Sequence, residues 1–227
     1  MTAETLTSVF EAGRGNRAVE LVEQTTFAMR ADAGFVERQD DVAAAVFLAE
    51  EAPAPMAADA LDRVLGLIDA AEARDSQAKA ALRGRDGMGE EITALPSPVR
   101  EAALQAMADH HRWSFAGLGI QRLPLFADEG ARAELLRIEP GHGVADHDHE
   151  DEELTLVLTG AYHDGHAAYR PGDVSVARPG FVHTPKAEPG EVCYVLLAYR
   201  GAPKFKGVFG LTQRAFGYPT PLGKGRS

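Results

Sequence analysis

The chain contains one cysteine, Cys193, in 227 residues. A single cysteine excludes an intramolecular disulfide and any Cys-x-x-Cys zinc knuckle, and it fits a reducing compartment. No run of eighteen apolar residues occurs, so no membrane-spanning helix is expected. The first residues, MTAETLTSVFEAGRG, lack the basic opening and apolar stretch of a secretory signal, which predicts a cytoplasmic protein. Positive charge is scarce as well. With 23 Lys+Arg against 34 Asp+Glu and a net charge of -11, the chain is a poor general ligand for nucleic acid, whose phosphates need basic surface.

What is present is enough to fold. Hydrophobic residues make up 45% of the chain and can supply a core. Charge is uneven: residues 1–95 hold 9 Lys+Arg and 18 Asp+Glu, whereas the remainder holds 14 and 16. That asymmetry predicts parts of different character. Residues 1–84 read as a small helical domain, residues 85–112 as a linker and short helix, and residues 113–227 as a β domain. In the helical part, Asn16 is a cap for a helix running to about Gly34, and Gln39 to Glu51 forms a second, stopped by Ala-Pro-Ala-Pro. A third begins at Asp59, with Leu61, Val64, Leu65 and Ile68 at i, i+3, i+4 and i+7 on one face. Two readings of that stripe stay open, local core or a surface for a partner protein.

Residues 84–98 are rich in Gly and Pro and read as linker, after which Ser97-Pro98 caps and opens a helix to about His110. From Trp113 the texture changes. Short β-favouring runs at Ala133–Ile138, Leu154–Leu158, Asp173–Ala177 and Val192–Ala198 alternate with turn residues, the pattern of a sandwich or small barrel. Cys193 lies inside the last of these and reads as a small buried hydrophobe, with a redox-sensing thiol as the alternative.

The stretch EPGHGVADHDHEDEELTLVLTG, residues 139–160, carries the chemistry. On an extended strand His147 and His149 share a face, because side chains alternate with period two. After a polar bend, Glu153 restarts a strand and can return to the same point. His183, thirty residues on in GDVSVARPGFVH, supplies a fourth ligand. Three imidazoles and a carboxylate suit Zn2+, and also Fe2+, Mn2+, Ni2+ or copper, so the donor set leaves the metal open. Asp146, Asp148, Glu150, Asp151 and Glu152 read as a solvated acidic rim. Tyr162 or His163 is a candidate to line the interior near the ion. If Glu153 faces inward, Leu154, Leu156 and Leu158 face outward and need a cover, either the helical part or a second subunit.

Gly141 through Gly160 is similar to the first motif of the cupin superfamily, and Gly172 through His183 resembles the second, with Arg178 and Ala187 at positions where proline and asparagine are common. A cupin (double-stranded β-helix, jelly-roll) β-barrel is implied. A narrower resemblance spans residues 49–69, ALPSPVREAAL, RWSFAGLGIQRLPL and HDHEDEELTLVLTGAYHDGHAAYRPGDVSVA, residues 147–177. It is to the ChrR-type cupin anti-sigma factors, which join a helical anti-sigma domain to a zinc cupin. The resemblance implies that the helical part sequesters an extracytoplasmic-function sigma factor while the cupin senses a stress, with His147, His149, Glu153 and His183 as zinc ligands. The helical domain of that family usually holds a second zinc on histidines and a Cys-x-x-Cys. Residues 1–109 contain neither histidine nor cysteine, so that second site is excluded here. The alternatives are a ferrous-dependent dioxygenase and a non-catalytic small-molecule binder. A homodimer is compatible with the sequence.

Overall fold

The structure, a computed structural model, describes residues 3–32, 57–70, 88–128, 131–200 and 203–205. The expected helix at Gln39–Glu51 lies outside them. Two helices open the chain, α1 (Ala3–Ala12) and α2 (Arg17–Asp32). Asn16 caps α2 as its sequence position implies: its Oδ1 accepts the amides of Ala18 (3.0 Å) and Val19 (3.4 Å). On α2 the buried positions Ala18, Leu21, Val22, Thr25 and Thr26 repeat at helical spacing. The two threonine hydroxyls donate to the carbonyls of Leu21 and Val22, each at 2.7 Å, which makes a dry face tolerable for them. Helix α1 was not among the expected elements, although Leu6, Val9 and Phe10 are spaced for it and are buried.

Helix α3 occupies residues 60–70, with the Arg63 amide closing onto the carbonyl of Asp59. The described residues of the segment read as linker, 88–98, are structured. They contain α4 (Met88–Thr93), and Ile92 and Leu95 are sealed in the core beside Val99 of α5 (Ser97–Ala108). Ser97 is the first residue of α5 and not its cap; the cap position falls on Pro96, and Ser97 Oγ donates to Glu101 Oε1 at 2.6 Å. Pro98 then sits in the first turn, where its missing amide hydrogen has no helical partner to lose.

The β region begins with β1 (Ser114–Gly117), β2 (Ile120–Asp128), β3 (Ala131–Ile138), β4 (His147–His149) and β5 (Glu153–Thr159). It continues with β6 (Tyr162–His163), β7 (Ala168–Tyr169), β8 (Val174–Ala177), β9 (Lys186–Ala187), β10 (Cys193–Arg200) and β11 (Pro203–Phe205). All four expected strand segments are present. Six strands form one antiparallel sheet in the order β1-β2-β3-β10-β5-β8; β7-β6-β9 and β11-β4 form two smaller sheets. Among the described residues these pairings make three separate sheets of a cupin-like fold, not one closed barrel. Short strands and glycine turns interrupt the ladder on the side that carries the histidines.

The large sheet has two dry faces. On one, Leu135, Leu154, Leu156, Leu158, Tyr194 and Leu196 join the helical residues Leu6, Val22, Ile92 and Val99 in a single core. The outward leucines of β5 are therefore covered by the helical part, and α2 lies directly across β3, β5 and β10. Burying each of these leucines contributes about 1.5–3 kcal/mol. On the other face, Ile120, Leu136, Val157, Cys193 and Val195 pack against Tyr162 and Ala187 of the three-stranded sheet. Polar ties add to the helical contact. Glu91 of α4 accepts from Arg137 Nε (2.8 Å) and from the Tyr194 hydroxyl (2.6 Å), and Arg137 also pairs with Glu139.

Leu156→Ala removes a side chain from the covered face and is expected to cost about 2–5 kcal/mol in chemical denaturation. Glu91 gives a pH signature. Its carboxyl is held below its ordinary value of 4.5 by the Arg137 guanidinium, so its contribution is complete above that pH and disappears as pH falls through the lowered folded value. Glu91→Gln should be less stable than the parent at neutral pH, with the gap between their melting temperatures closing as pH falls below 4.5.

Candidate metal centre

Strand β4 is three residues long and presents His147 and His149 to one side, with Asp148 between them pointing away. The third histidine arrives across a backbone bridge. The His147 amide donates to the His183 carbonyl at 3.2 Å, and the His183 amide donates back at 3.1 Å. Pairing at this point brings the rings together: His183 Nε2 is 2.8 Å from His149 Nε2 and 3.0 Å from His147 Nε2. All three residues are buried.

The loop that delivers His183 is fastened by three of the five acids expected to form a solvated rim. Gly180, in the left-handed region at φ 87°, donates its amide to Asp148 Oδ1 at 2.8 Å. Thr184 Oγ1 donates to Asp146 Oδ1 at 2.6 Å, and Arg178 Nε pairs with Glu152 Oε2 at 3.0 Å. These carboxylates bind residues 178–184 to residues 146–152 from both sides of His183. Their role was hidden in the sequence because it depends on partners some thirty residues away.

The donor set fits a divalent cation. His147 Nδ1–H donates to the Ala145 carbonyl at 2.9 Å, which fixes the tautomer that leaves Nε2 as a bare lone pair. Burial pushes the imidazole of His147 down, that of His149 to about 4 and that of His183 to about 3, with the neighbouring rings adding to the last two. They are neutral imidazoles at pH 7, the protonation state in which histidine ligates. Three desolvated nitrogens at mutual contact are unfavourable unless they share a positive centre, and His183 Nδ1 is buried without a hydrogen-bond partner. Within the described residues, this is the group of side chains whose ligand atoms all lie within 4.8 Å of one another.

Glu153 stands beside that group. Its Oε2 is 3.6 Å from His149 Nδ1, and its Oε1 accepts from Thr155 Oγ1 at 3.2 Å. Burial pushes its carboxyl up to about 7. An adjacent dication is the kind of charge that restores such a group to carboxylate. Thr155, overlooked in the sequence, orients this side chain; its placement two residues after Glu153 on the same strand face was the available signal.

Other expected residues fall elsewhere. Leu61, Val64, Leu65 and Ile68 of α3 are exposed, as is Leu67, which removes the local-core reading of that stripe. Tyr162 is buried on the interior face, its hydroxyl 2.5 Å from Ser175 Oγ and its ring stacked on Tyr169. Cys193 is fully buried, and burial pushes its thiol up to about 12, so the thiolate that oxidants attack is suppressed. The redox-sensing alternative for this residue loses its chemical basis.

His183→Ala removes the residue that meets both partners of β4. The protein is expected to keep about one divalent ion per chain through dialysis, and the variant less than about a tenth of that, by elemental analysis.

Comparison with known proteins agrees with this architecture. Residues 101–201 match the family described as the ChrR cupin-like domain. The chain is 31% identical to the anti-sigma-E factor ChrR of Cereibacter sphaeroides over 200 residues, covering 86% of this chain and 87% of that protein. A crystal structure of Rhodobacter sphaeroides SigE in complex with the anti-sigma ChrR matches with a TM-score of 0.54 at 27% identity, over 87% of this chain and 96% of the other. An RmlC-like cupin protein from Ralstonia eutropha matches with a TM-score of 0.40 at 15% identity, over 48% and 82%. From a likeness that runs through the helical part as well as the sheet domain, the chain belongs to the family of the anti-sigma factor ChrR.

Proposed function

We propose that this protein is an anti-sigma factor that holds an extracytoplasmic-function sigma factor on its helical part and carries one metal ion, zinc, in its cupin-like part as the sensing half. The observation that carries the reading is the extent of the likeness to ChrR, which covers 87% of the chain and so includes helices as well as sheet. The exposed apolar residues of α3 support it. Leu61, Val64, Leu65, Leu67 and Ile68 are exposed within eight residues, a concentration of apolar side chains in water that suits helix-in-groove contact with another protein.

In this reading His147, His149 and His183 hold the ion through Nε2 and Glu153 completes the set from the buried side. The ion supplies a fixed positive charge that locks the two histidine segments together; the residues of the chain bind and orient, and no turnover is ascribed to them. The division into residues 1–84, 85–112 and 113–227 is kept as a functional one, partner binding first and metal binding last. Mechanically the parts are joined, because α2 and α4 pack on the sheet that carries Glu153 on its opposite face. A change at the ion that moves β5 would therefore be felt by α2. A cytoplasmic location follows from a sigma factor as partner.

The test is direct binding. A purified extracytoplasmic-function sigma factor from the same organism, titrated by fluorescence anisotropy, should bind with a Kd below about 1 μM, and the pair Leu61→Asp and Leu65→Asp should weaken it at least about tenfold, or ~1.4 kcal/mol. The melting temperature should not move, since both side chains are exposed. Absence of binding to any such sigma factor, or iron in the purified protein together with oxygen uptake on diketones or thiols, would overturn the proposal in favour of a dioxygenase.

A further inference from the structure

Strand β4 carries two of the three gathered histidines, yet it is three residues long and belongs to a sheet of two strands. Its partner there is β11. The register sets Pro203 opposite His149, Lys204 opposite Asp148 and Phe205 opposite His147, antiparallel. On the other edge, His147 uses both its amide and its carbonyl on His183. In an antiparallel strand the backbone groups of successive residues point to opposite edges, so those of Asp148 face β11 and Lys204 is the residue that meets them. Proline at 203 is consistent with this register. Opposite His149 the ladder needs no amide hydrogen from β11, so proline is tolerated there.

The charge pattern agrees with the pairing. Residues 146–152 contain five acids, whereas residues 201–227 contain five Lys or Arg and no acid. Within the latter, the described strand β11 sets the backbone of Lys204 opposite Asp148 of the acidic stretch.

We propose that β11 is a strap that closes over the metal-bearing strand and sets how fast the ion exchanges. With β11 paired, β4 is held on both edges and its two histidines stay on His183. When β11 peels away, β4 is held on one edge only, and the site opens by local unfolding at a free-energy cost well below that of the whole fold. Anything that engages residues 203–205 would then control metal retention without touching a ligand. This rests on the reading of the three histidines as a metal site.

The experiment uses the full chain loaded with zinc. Release to the chelator 4-(2-pyridylazo)resorcinol is followed by stopped flow, and protection of the Asp148 amide is read separately by hydrogen exchange. Lys204→Pro removes the amide that pairs with Asp148, whereas Lys204→Ala retains it. The proline variant is expected to lose zinc at least about tenfold faster and to lose Asp148 protection, with the alanine variant within about threefold of the parent. If the proline variant does not fold, a chain ended after Arg200 takes its place. An unprotected Asp148 amide in the parent, or unchanged zinc release from a variant that has lost this protection, overturns the strap. A parent chain that binds no zinc overturns the metal reading and with it the role assigned to β11, while the protection measurement still reports on whether the strands pair.

Discussion

One strand, β5, must satisfy two environments at once, and the rest of the molecule is arranged around that demand. Glu153, Thr155 and Val157 point to the interior, toward the histidines and the second core, while Leu154, Leu156 and Leu158 lie under the helices. A slip of one residue would exchange the two sets, placing leucines at the metal site and a carboxylate beneath α2. The register with β10 and β8 prevents it, pairing Leu156 with Leu196 and Thr155 with Ser175. Gly160 ends the strand at φ 65°, where a Cβ would sit 2.8 Å from the Val192 carbonyl oxygen, so the turn out of β5 is closed to any other residue.

The metal centre is built on a backbone contact before any side chain is considered. The reciprocal amide–carbonyl pair between His147 and His183 sets the separation of two rings, and the period of the strand adds the third. Around them, Asp146, Asp148 and Glu152 serve as fasteners, each with a partner on the loop that carries His183. The negative charge near the site thus has a structural use at short range, in addition to the field it creates for a cation.

The helical part has no histidine or cysteine before residue 110, and among the described residues it is held to the sheet by packing and polar ties. Helices α1, α2, α4 and α5 share one core with the sheet, and Glu91 adds a charged tie to Arg137 and Tyr194. A chain organised in this way has less independence between its two ends than two domains on a linker. The face of β5 opposite Glu153 and Thr155 is the face on which α2 packs.

The sequence by itself determined the shared face of His147 and His149, the four main strands, the cap of α2 and the need for a cover over the β5 leucines, because each of these rests on local spacing: a period of two, a period of 3.6, or a capping side chain beside its amides. It could not show that Ile92 and Leu95 are core, since Gly and Pro mark linkers and tight helical connections alike, and their burial depends on a sheet formed later in the chain. Nor could it separate core from surface for Leu61, Val64, Leu65 and Ile68, because periodicity reports that a face is apolar and not what lies against it. The acids that fasten the His183 loop and the return of residues 203–205 along β4 were decided by tertiary structure alone. Each is a contact between segments far apart in the chain, and such distances are fixed by the fold's register and by no property of either segment.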